Sequence, residues 1–342
     1  MDQTVRWGIL GTAAINDWII PSIGLCQRSE VIAVGSRSLE KAEAHAKQWN
    51  IPKAYGSYED VLADDRIDAV YIPLPNHMHV EWSIRAMEAG KHVLCEKPIA
   101  LDLDGMDRLI DASRRTGKIL QEANMTHAHA QTSYVRQLLA DGAIGDVHVI
   151  DCIFAFYREI TGFRADPAIG GGSLWDVGTY CISFARTVLN EEPTEVSANQ
   201  FTSPTGIDMR LYGRISFPSG AVLQFMSSMG SFDYHAATIH GLTGVITMDN
   251  PWLNPPGLTA HVTLTRVSES SQAATVGGYA DELDSQTRTF LNCQAHADQF
   301  KAFERMVFDG GEPFLSLESS RANILPVLAL LESASNGKTV KI

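Results

Sequence analysis

The sequence predicts two domains of different class, an N-terminal α/β domain with a parallel sheet and a C-terminal α+β domain with a mostly antiparallel sheet. In residues 1–123, short β-branched runs alternate with helical patterns, which is typical of a doubly wound sheet with helices on both faces. Beyond Thr194, apolar runs follow one another with turn signals such as Pro218-Ser219-Gly220 between them, which indicates hairpins. The length of 342 residues also exceeds what one core usually organises. We therefore expect domains at 1–123 and 124–342.

The elements of the N-terminal domain follow from apolar spacing and from glycines at helix ends. Gly90 and Gly117 stand directly after helical patterns, where C-cap residues are expected. The predicted strands are Val5 to Leu10, Val31 to Val34, Ala69 to Ile72, His92 to Cys95 and Ile119 to Glu122, and the predicted helices are Lys41 to Trp49, Val80 to Ala89 and Leu103 to Thr116.

The C-terminal domain is predicted to combine helices with a run of strands. A helix through Tyr134 to Leu139 precedes a long strand, Val147 to Tyr157, and a glycine run then opens another helix. Ser268 to Ala274 is at most a loop. The later strands are Thr194 to Phe201, Met209 to Phe217, Ala221 to Met229, Ala236 to Gly241 and Val245 to Met248, and the closing helices lie near Ala295 to Phe308 and Leu317 to Ser335.

The composition describes a folded protein and argues against two classes of partner. Lys and Arg total 27 against 40 Asp and Glu, and the net charge of −13 argues against a nucleic-acid binder, because the phosphate backbone demands a cationic face. No apolar run approaches the ~20 residues that span a bilayer, and no signal stretch precedes Val5. We expect a cytoplasmic protein without a membrane partner, and reduced thiols, because the cysteines are odd in number and dispersed. They are Cys26, Cys95, Cys152, Cys181 and Cys293.

The loop after the first predicted strand, Gly8 to Asn16, has the position of a phosphate-binding turn. Such a strand-loop-helix unit would place a helix N-terminus where backbone N–H groups hold a pyrophosphate. If Gly11 is the first glycine of a dinucleotide fingerprint, the second position is Ala13 and the third is Asn16, so the match is incomplete. The loop therefore predicts either a dinucleotide site or an ordinary turn. The residues assigned to the site are Gly11, Thr12, Ala13, Ala14 and Ile15.

The segment after the second strand, Gly35-Ser36-Arg37-Ser38, indicates which coenzyme is bound. NAD-binding folds usually carry an acidic residue here for the ribose hydroxyls. In this chain the planar guanidinium group of Arg37 can form two hydrogen bonds to a 2′-phosphate. The hydroxyls of Ser36 and Ser38 and the ammonium group of Lys41, on the following helix, can bind the same phosphate. NADP is therefore favoured over NAD. The alternative is that a serine caps the helix and Arg37 is a solvated charge.

The segment Glu96-Lys97-Pro98 follows the fifth predicted strand. It therefore lies at the carboxyl edge of the sheet, where open α/β folds bind their ligands. The proline restricts Lys97 to extended geometry, and the peptide bond between them can be cis. The alternative is a surface ion pair between Glu96 and Lys97.

The helix after Gly170-Gly171-Gly172 is predicted to offer polar side chains to a cleft. Ser173 fits an N-cap, and Asp176 and Tyr180 are four residues apart, so they share one face away from the apolar stripe. Two alternatives stay open. Asp176 can complete a capping box with Ser173, and Tyr180 can be a packing residue. The apolar stripe consists of Leu174, Val177, Cys181, Phe184 and Val188.

Tyr180 and Lys97 together suit hydride transfer at an alcohol or a carbonyl. A free tyrosine has a pKa of about 10, so it is a poor base until a cation such as Lys97 stabilises its phenolate. Tyr180 would accept the substrate hydroxyl proton in oxidation and donate it in reduction, while Asp176 orients Lys97 or a substrate hydroxyl. No metal is expected. The spacings of the following histidines suggest strand or turn residues instead of ligands: His77, His79, His127 and His129.

Four segments together resemble the Gfo/Idh/MocA oxidoreductase family: Gly8-Ile9-Leu10-Gly11-Thr12-Ala13, Pro75-Asn76-His77-Met78-His79, Glu96-Lys97-Pro98 and the glycine-run helix that contains Tyr180. The resemblance covers nearly the whole chain. It implies an N-terminal Rossmann domain, and a C-terminal domain whose open, mostly antiparallel sheet forms a homodimer or homotetramer. It also implies oxidation or reduction of sugars, cyclitols and related diols with NAD(P). Many members carry histidine at the position of Tyr180, and the tyrosine form is similar to the branch with D-xylose dehydrogenase (NADP), dimeric dihydrodiol dehydrogenase and glucose-fructose oxidoreductase.

The resemblance also implies roles for particular residues. Lys97 matches the active-site lysine of the family, and Asn76 and His79 match the loop that borders the nicotinamide ribose. Arg164 looks like part of the segment that reaches the cofactor or the substrate. The other expected coenzyme residues are Pro73, Leu74, Glu96 and Asn124, and the expected substrate residues are Tyr157, Arg158, Asp176 and Tyr180.

The leading expectation is an NADP-dependent oxidoreductase that transfers a hydride between the nicotinamide and a monosaccharide or related cyclic polyol. An alternative enzyme reduces a keto- or anhydro-sugar, or oxidises a trans-dihydrodiol, with the same acid–base pair. A non-enzymatic alternative is a nucleotide-binding, sugar-responsive regulator. The presence of both Lys97 and Tyr180 speaks against that alternative.

Overall fold

The computed structural model describes residues 4–252, 257–268 and 283–342, so most of the predicted loop at 268–274 lies outside the described residues. The chain forms two compact units. Unit 1 comprises the residues up to Ala128, Ala168–Gly170 and Gln294–Ile324, and unit 2 comprises His129–Pro167, Gly171–Cys293 and Leu325–Ile342. The division differs from the predicted boundary after residue 123, because a segment near the C-terminus belongs to unit 1.

The helices and strands alternate in unit 1, and strands dominate unit 2. The α-helices are α1 (Asn16–Ile23), α2 (Leu39–Trp49), α3 (Tyr58–Leu62), α4 (His79–Glu88), α5 (Leu103–Thr116), α6 (Ala130–Ala140), α7 (Thr179–Leu189), α8 (Ala295–Asp309) and α9 (Leu317–Asn336). The strands are β1 (Val5–Leu10), β2 (Ser29–Gly35), β3 (Lys53–Tyr55), β4 (Ala69–Ile72), β5 (His92–Glu96), β6 (Leu120–Ala123), β7 (Val147–Tyr157), β8 (Glu195–Thr202), β9 (Asp208–Ser216), β10 (Val222–Ser228), β11 (Gly230–Gly241), β12 (Gly244–Met248), β13 (Ala260–Val267), β14 (Leu283–Phe290) and β15 (Val340–Lys341).

Unit 1 is built around a six-stranded sheet with the order β3-β2-β1-β4-β5-β6, in which all neighbours are parallel. The predicted Rossmann sheet is thereby confirmed. The strand order reverses between β1 and β4, and open α/β sheets bind ligands beyond the carboxyl ends of the strands at such a point. The short edge strand β3 was not predicted, because three residues are too few to show a period.

Helix α5 shows how local sequence sets the limits of an element in unit 1. The carboxylate of Asp102 accepts the N–H of Gly105 at 2.7 Å and so caps the first turn. Gly117 ends the helix at φ +65°, a left-handed conformation that glycine adopts without strain. Between these ends, Met106 and Leu109 are buried. The predicted C-cap is confirmed.

The core of unit 1 is completed by helix α8, which is distant in sequence. Phe300 and Phe303 lie in the same buried cluster as Val5 and Ile9 of β1. The ring centroid of Trp7 is 5.1 Å from that of Phe300 and 5.0 Å from that of Phe303. Such aromatic contacts bury large apolar areas, and they explain why Gln294–Ile324 belongs to unit 1.

Unit 2 contains a nine-stranded sheet with the order β14-β13-β12-β11-β7-β10-β9-β8-β15. Only β7 and β10 pair in parallel, and the other neighbours are antiparallel. The predicted class, a mostly antiparallel sheet with helices, is confirmed. Strand β14 was not predicted, because its residues are largely polar and exposed and show no apolar alternation.

Helix α7 packs on β7 and β10 of this sheet. The packing centres on Trp252, which is fully buried and stacks on Phe154, with ring centroids 6.3 Å apart. Phe184 of α7 meets the same indole edge-on at 5.4 Å, and the indole N–H donates to the carbonyl of Ile153 at 2.8 Å. The sheet therefore fixes the helix that carries Tyr180.

Within the described residues, no helix combines the length and the apolar character that a membrane span requires.

Candidate active site

The turn after β1 has a backbone that suits a phosphate group. Gly11 lies at φ +119°, a region that favours glycine, and its N–H donates to the carbonyl of Gly35 at the end of β2. A Cβ added at Gly11 would lie 3.3 Å from the side chain of Leu74, so the backbone runs close to the loop after β4. Helix α1 follows, and its N-cap residue, Ile15, gives no side-chain hydrogen bond. The first turn of α1 contains Asp17, and the N–H groups of Asn16 and Asp17 donate to the carbonyls of Ala13 and Ala14, so a phosphate here would bind N–H groups of the turn before α1.

Asn16 replaces the third small residue of the fingerprint. The residue is buried, and its Nδ2 donates to the carbonyl of Gly11 at 3.0 Å. The same nitrogen lies 3.1 Å from Nε2 of His45. The asparagine thus stabilises the Gly11 turn by a hydrogen bond that spacing alone did not reveal.

The segment after β2 combines a capped helix with an exposed guanidinium. Ser38 caps α2, because its Oγ accepts the N–H of Lys41 at 3.4 Å, while Oγ of Ser36 accepts the N–H of Ser38 at 3.4 Å. Arg37 is exposed and contacts the hydroxyl of Tyr58. Burial raises the pKa of Tyr58, and the contact with Arg37 opposes this rise. A serine cap and an exposed guanidinium group therefore lie next to each other.

The loop after β4 is held by two buried polar side chains. Nδ2 of Asn76 donates to the carbonyl of Gly170 at 3.0 Å. His79 is fully buried, with Nδ1 2.8 Å from the carbonyl of Pro98 and Nε2 2.7 Å from the carbonyl of Leu74. Burial lowers the pKa of His79, although the two carbonyls favour its protonated form. His79 therefore joins the Leu74 loop to the segment that follows Lys97.

The segment Glu96-Lys97-Pro98 lies at the carboxyl end of β5, and its Lys97–Pro98 peptide bond is cis. The hydroxyl of Tyr71 on β4 donates to Oε1 of Glu96 at 2.5 Å. Burial of the carboxyl group raises the pKa of Glu96, and Lys97 opposes this rise. The N–H of Ile99 donates to Oε1 of Glu122 on β6 at 3.2 Å. Neighbouring strands thus brace both sides of Lys97.

The predicted helix after the glycine run begins with a different geometry. Residues Leu174–Gly178 form a π-helical turn, and α7 continues from Thr179. The prediction that Ser173 caps this helix is wrong, because its side chain makes no capping bond and its hydroxyl donates to Asp208 at 2.7 Å. The N–H of Leu174 donates to the same carboxylate oxygen at 2.7 Å. Asp208 therefore caps the turn from strand β9.

Arg164 and Asp176 form an ion pair in unit 2. Nε of Arg164 lies 2.7 Å from Oδ2 of Asp176, and the two side chains are 29% and 12% exposed. The N–H of Gly172 donates to the carbonyl of Arg164 at 3.2 Å, which ties the arginine backbone to the glycine run. The structure thus brings together two residues that were predicted separately.

The remaining predicted residues occupy varied positions. Tyr180 is 4% exposed, and its ring centroid lies 5.5 Å from that of Phe154. Tyr157, at the end of β7, is 78% exposed, and Arg158 follows it with its guanidinium over the ring of Phe156.

The other predicted coenzyme residues lie in unit 1. Pro73 and Leu74 are buried after β4, and Asn124 is buried after β6, where its Oδ1 accepts the hydroxyl of Thr126 at 2.7 Å. Across the described ranges, no group of three or more His, Cys, Asp or Glu side chains is placed to hold a metal.

Sequence reasoning missed Tyr71, Glu122 and Asp208. The register of β5 on β6 pairs Cys95 with Glu122, and β4 lies next to β5, so the sheet order alone would have placed Tyr71 and Glu122 near Glu96. No local signal marks Asp208, because its partners are more than thirty residues away in sequence.

Known proteins share both halves of this architecture. Residues 5–124 match the oxidoreductase family with an NAD-binding Rossmann fold, and residues 132–247 match the GFO/IDH/MocA C-terminal domain. An uncharacterized oxidoreductase of Rhizobium meliloti, ORF334, is 38% identical over 97% of this chain and 98% of its own length. D-xylose 1-dehydrogenase (NADP(+)) 2 of Haloferax volcanii is 32% identical over 99% of this chain and 100% of its own length.

Among solved structures, the chain is similar to KijD10, a 3-ketoreductase from Actinomadura kijaniata in complex with NADP and TDP-benzene. The TM-score is 0.86 at 25% sequence identity, and the alignment covers 97% of this chain and 98% of KijD10. The domain matches, the sequence relatives and the solved structure all identify oxidoreductases. The chain therefore belongs to the Gfo/Idh/MocA family of oxidoreductases, as the resemblance of its motifs predicted.

Proposed function

We propose that the protein is an NADP-dependent dehydrogenase that oxidises a monosaccharide or related cyclic polyol. The observation that carries the proposal is that the backbone directly after Lys97 is held at the carboxyl edge of the parallel sheet. His79 binds the carbonyl of Pro98, and Glu122 accepts the N–H of Ile99. Such precise support is typical of a group that must meet a reacting atom. The name of the Haloferax volcanii relative, a D-xylose 1-dehydrogenase that uses NADP, supports the substrate class.

The residues of unit 1 fit a dinucleotide. The Gly11 turn and the N-terminus of α1 suit the pyrophosphate, because backbone N–H groups there can bind phosphate oxygens. Glycine leaves the backbone of the turn open to a ligand, since a side chain at position 11 would be strained and would lie against Leu74. Arg37, Ser36 and Ser38 suit the 2′-phosphate, since no acidic residue stands between Gly35 and Leu39 to repel it. When bound, the nicotinamide supplies the hydride acceptor or donor.

We assign the proton transfer to Tyr180 and the stabilisation of its phenolate to Lys97. Oη of Tyr180 takes the proton from the substrate hydroxyl in oxidation and returns it in reduction. The ammonium group of Lys97 stabilises the phenolate of Tyr180, which accepts the proton in oxidation and is regenerated when Tyr180 donates its proton in reduction. Asp176, held at 2.7 Å by Arg164, orients a substrate hydroxyl or Lys97. Tyr157 and Arg158 are proposed to contact the sugar from the end of β7.

The preference for NADP is expected to depend on Arg37. In the variant Arg37→Ala, KM for NADP rises about 10- to 100-fold, as the loss of a charge-assisted hydrogen bond of about 1.5–3 kcal/mol implies. KM for NAD stays the same, because NAD has no 2′-phosphate. Initial rates with both coenzymes measure the effect. The control is Arg108→Ala, at an exposed arginine of α5. An unchanged NADP/NAD ratio in Arg37→Ala would contradict the assignment.

The proposed function is tested with the purified full chain, NADP and a panel of aldoses and cyclic polyols, by following nicotinamide absorbance. Oxidation of at least one sugar supports the proposal. Reduction of keto- or anhydro-sugars by NADPH without any aldose oxidation favours the reductase alternative, for which a relative named 1,5-anhydro-D-fructose reductase, 28% identical, is a precedent. Binding of sugar and coenzyme without turnover identifies a regulator and overturns the proposal.

A further inference from the structure

We propose that the carboxylate of Asp208 is a positioning residue, which in its ionised form holds the π-helical turn that carries Asp176 and leads to Tyr180. The inference rests on the proposed function of Tyr180. Asp208 is the first residue of β9 and does not belong to any motif of the sequence.

The contacts of Asp208 converge on the start of the turn. Oδ2 accepts the hydroxyl of Ser173 and the N–H of Leu174, each at 2.7 Å. Oδ1 faces Gly172, where an added Cβ would lie only 1.9 Å away, and Gly172 itself has φ +109°. The carboxylate therefore closes directly on the backbone, and any larger residue at position 172 would displace it. Asp208 is only 3% exposed.

The hydrogen bonds that follow Gly172 connect this turn to the predicted catalytic residues. The carbonyl of Gly172 accepts the N–H of Asp176 at 3.2 Å, and its N–H donates to the carbonyl of Arg164. The Arg164–Asp176 ion pair thus depends on the same backbone that Asp208 holds. Tyr180 follows in the first turn of α7. A shift at Gly172 is therefore transmitted to both ends of the ion pair and to the phenol.

The burial of the ionised carboxylate of Asp208 lowers the folding stability of the protein. The titratable groups on the elements packed against it are Arg210, Tyr212 and Arg214 on β9, Glu195 on β8, and Asp176 with its partner Arg164 at the turn, while β10 contributes the neutral Ser227. Burial raises the pKa of Asp208 to about 6, and its hydrogen bonds with Ser173 and Leu174 oppose the rise. Because the pKa is higher in the folded than in the unfolded chain, folding stability falls as the pH rises from about 4 to about 6. A carboxylate that served only to stabilise the fold would instead make the folding stability increase as it becomes ionised.

The test compares wild type with Asp208→Asn, which keeps the shape of the side chain and removes the charge. At pH 8 we expect an unfolding midpoint equal to or above that of wild type, because no buried charge remains. We expect kcat to fall about 10²-fold, the order that a displacement of reacting groups by ~1 Å costs, and KM for NADP to stay the same. The kcat of wild type should decline below about pH 6, where Asp208 becomes protonated, and this acid limb should be absent in the variant.

Ser173→Ala is the matched variant, since it keeps the charge and removes one hydrogen bond that lowers the pKa of Asp208. Its acid limb should move to higher pH. An acid limb that persists in Asp208→Asn overturns the inference. So does a variant that is less stable at pH 8 and regains full kcat on cooling, because Asp208 would then serve only the fold.

A readout without substrate separates this inference from the proposed function. Trp175 lies within the π-helical turn, and the fluorescence difference between wild type and Trp175→Phe reports on it. We expect a titration near pH 6 that Asp208→Asn abolishes and Tyr180→Phe retains. If no sugar is turned over while this titration is present, the proposed function fails and Asp208 still controls the turn. If the titration is missing, the inference fails whatever the activity.

Discussion

Replacement of Tyr180 by phenylalanine is expected to lower kcat about 10²- to 10⁴-fold, which is the contribution of a positioned acid or base to proton transfer. The phenyl ring keeps the contact with Phe154, so the packing of α7 is preserved. The variant lacks the hydroxyl that is proposed to exchange a proton with the substrate. KM and binding of NADP should stay close to wild type, because the coenzyme contacts proposed above lie in unit 1. Nicotinamide absorbance measures turnover, and equilibrium titration with NADP measures binding.

The control for Tyr180→Phe is Tyr212→Phe, at an exposed tyrosine of β9. That variant should retain wild-type kcat. If Tyr180→Phe retains more than a tenth of the activity, another group transfers the proton and the assignment of Tyr180 is wrong.

Replacement of Lys97 by methionine should lower kcat about 10²- to 10³-fold, the order expected when one electrostatic stabiliser of a developing anion is removed. Methionine has a similar length and no charge, so it isolates the loss of the ammonium group. The pH at which oxidation reaches half its maximal rate should move to higher values, because the phenolate of Tyr180 then forms without the cation that is proposed to stabilise it. A complete pH–rate profile measures both effects.

Lys47→Met, at an exposed lysine of α2, controls for the loss of positive charge in unit 1. Lys97→Arg gives a further comparison, since it keeps the charge and changes the geometry. If Lys97→Met lowers the maximal rate but leaves the pH of half-maximal oxidation unchanged, Lys97 orients the substrate and does not stabilise the phenolate.

The parts of the fold that the sequence predicted are those with a local period. Strands β1, β2, β4, β5 and β6 alternate with helices and are mostly buried, β2 only in its last three residues, so apolar runs and glycine ends identify them. Strands β3, β14 and β15 were missed and lie at sheet edges. Strand β13 was also missed, although Ala260, Val262 and Leu264 alternate along it as buried residues. Strand β3 has three residues and β15 has two, and β14 is exposed along most of its length.

The domain boundary illustrates a second limit. The apolar face of α8 was recognised as helical, but periodicity does not say which core a helix covers. The rings of Phe300 and Phe303 pack on Trp7, almost three hundred residues earlier. Partners at such distances become visible only when the chain is folded.

The candidate site divides in the same way. Gly11, Arg37 and Lys97 were found from motifs whose spacing reflects a local geometry. Asn16, which holds the Gly11 turn, is near it in sequence, whereas Glu122 comes from strand β6 and His79 from helix α4. The capping prediction for Ser173 failed because Asp208 supplies the cap from a separate strand. The roles of Lys97, Tyr180 and Asp176 in catalysis stay predictions.

The dependence of Trp7 on helix α8 has a consequence for biosynthesis. Strand β1 leaves the ribosome almost three hundred residues before Phe300 and Phe303, so the apolar core around Trp7 stays incomplete until α8 has been translated. Truncation after Ala128 removes Phe300 and Phe303 and exposes the apolar indole of Trp7, so we expect the fragment to aggregate. A self-standing coenzyme-binding fragment therefore has to join the segment up to Ala128 with Gln294–Ile324 through an engineered connection.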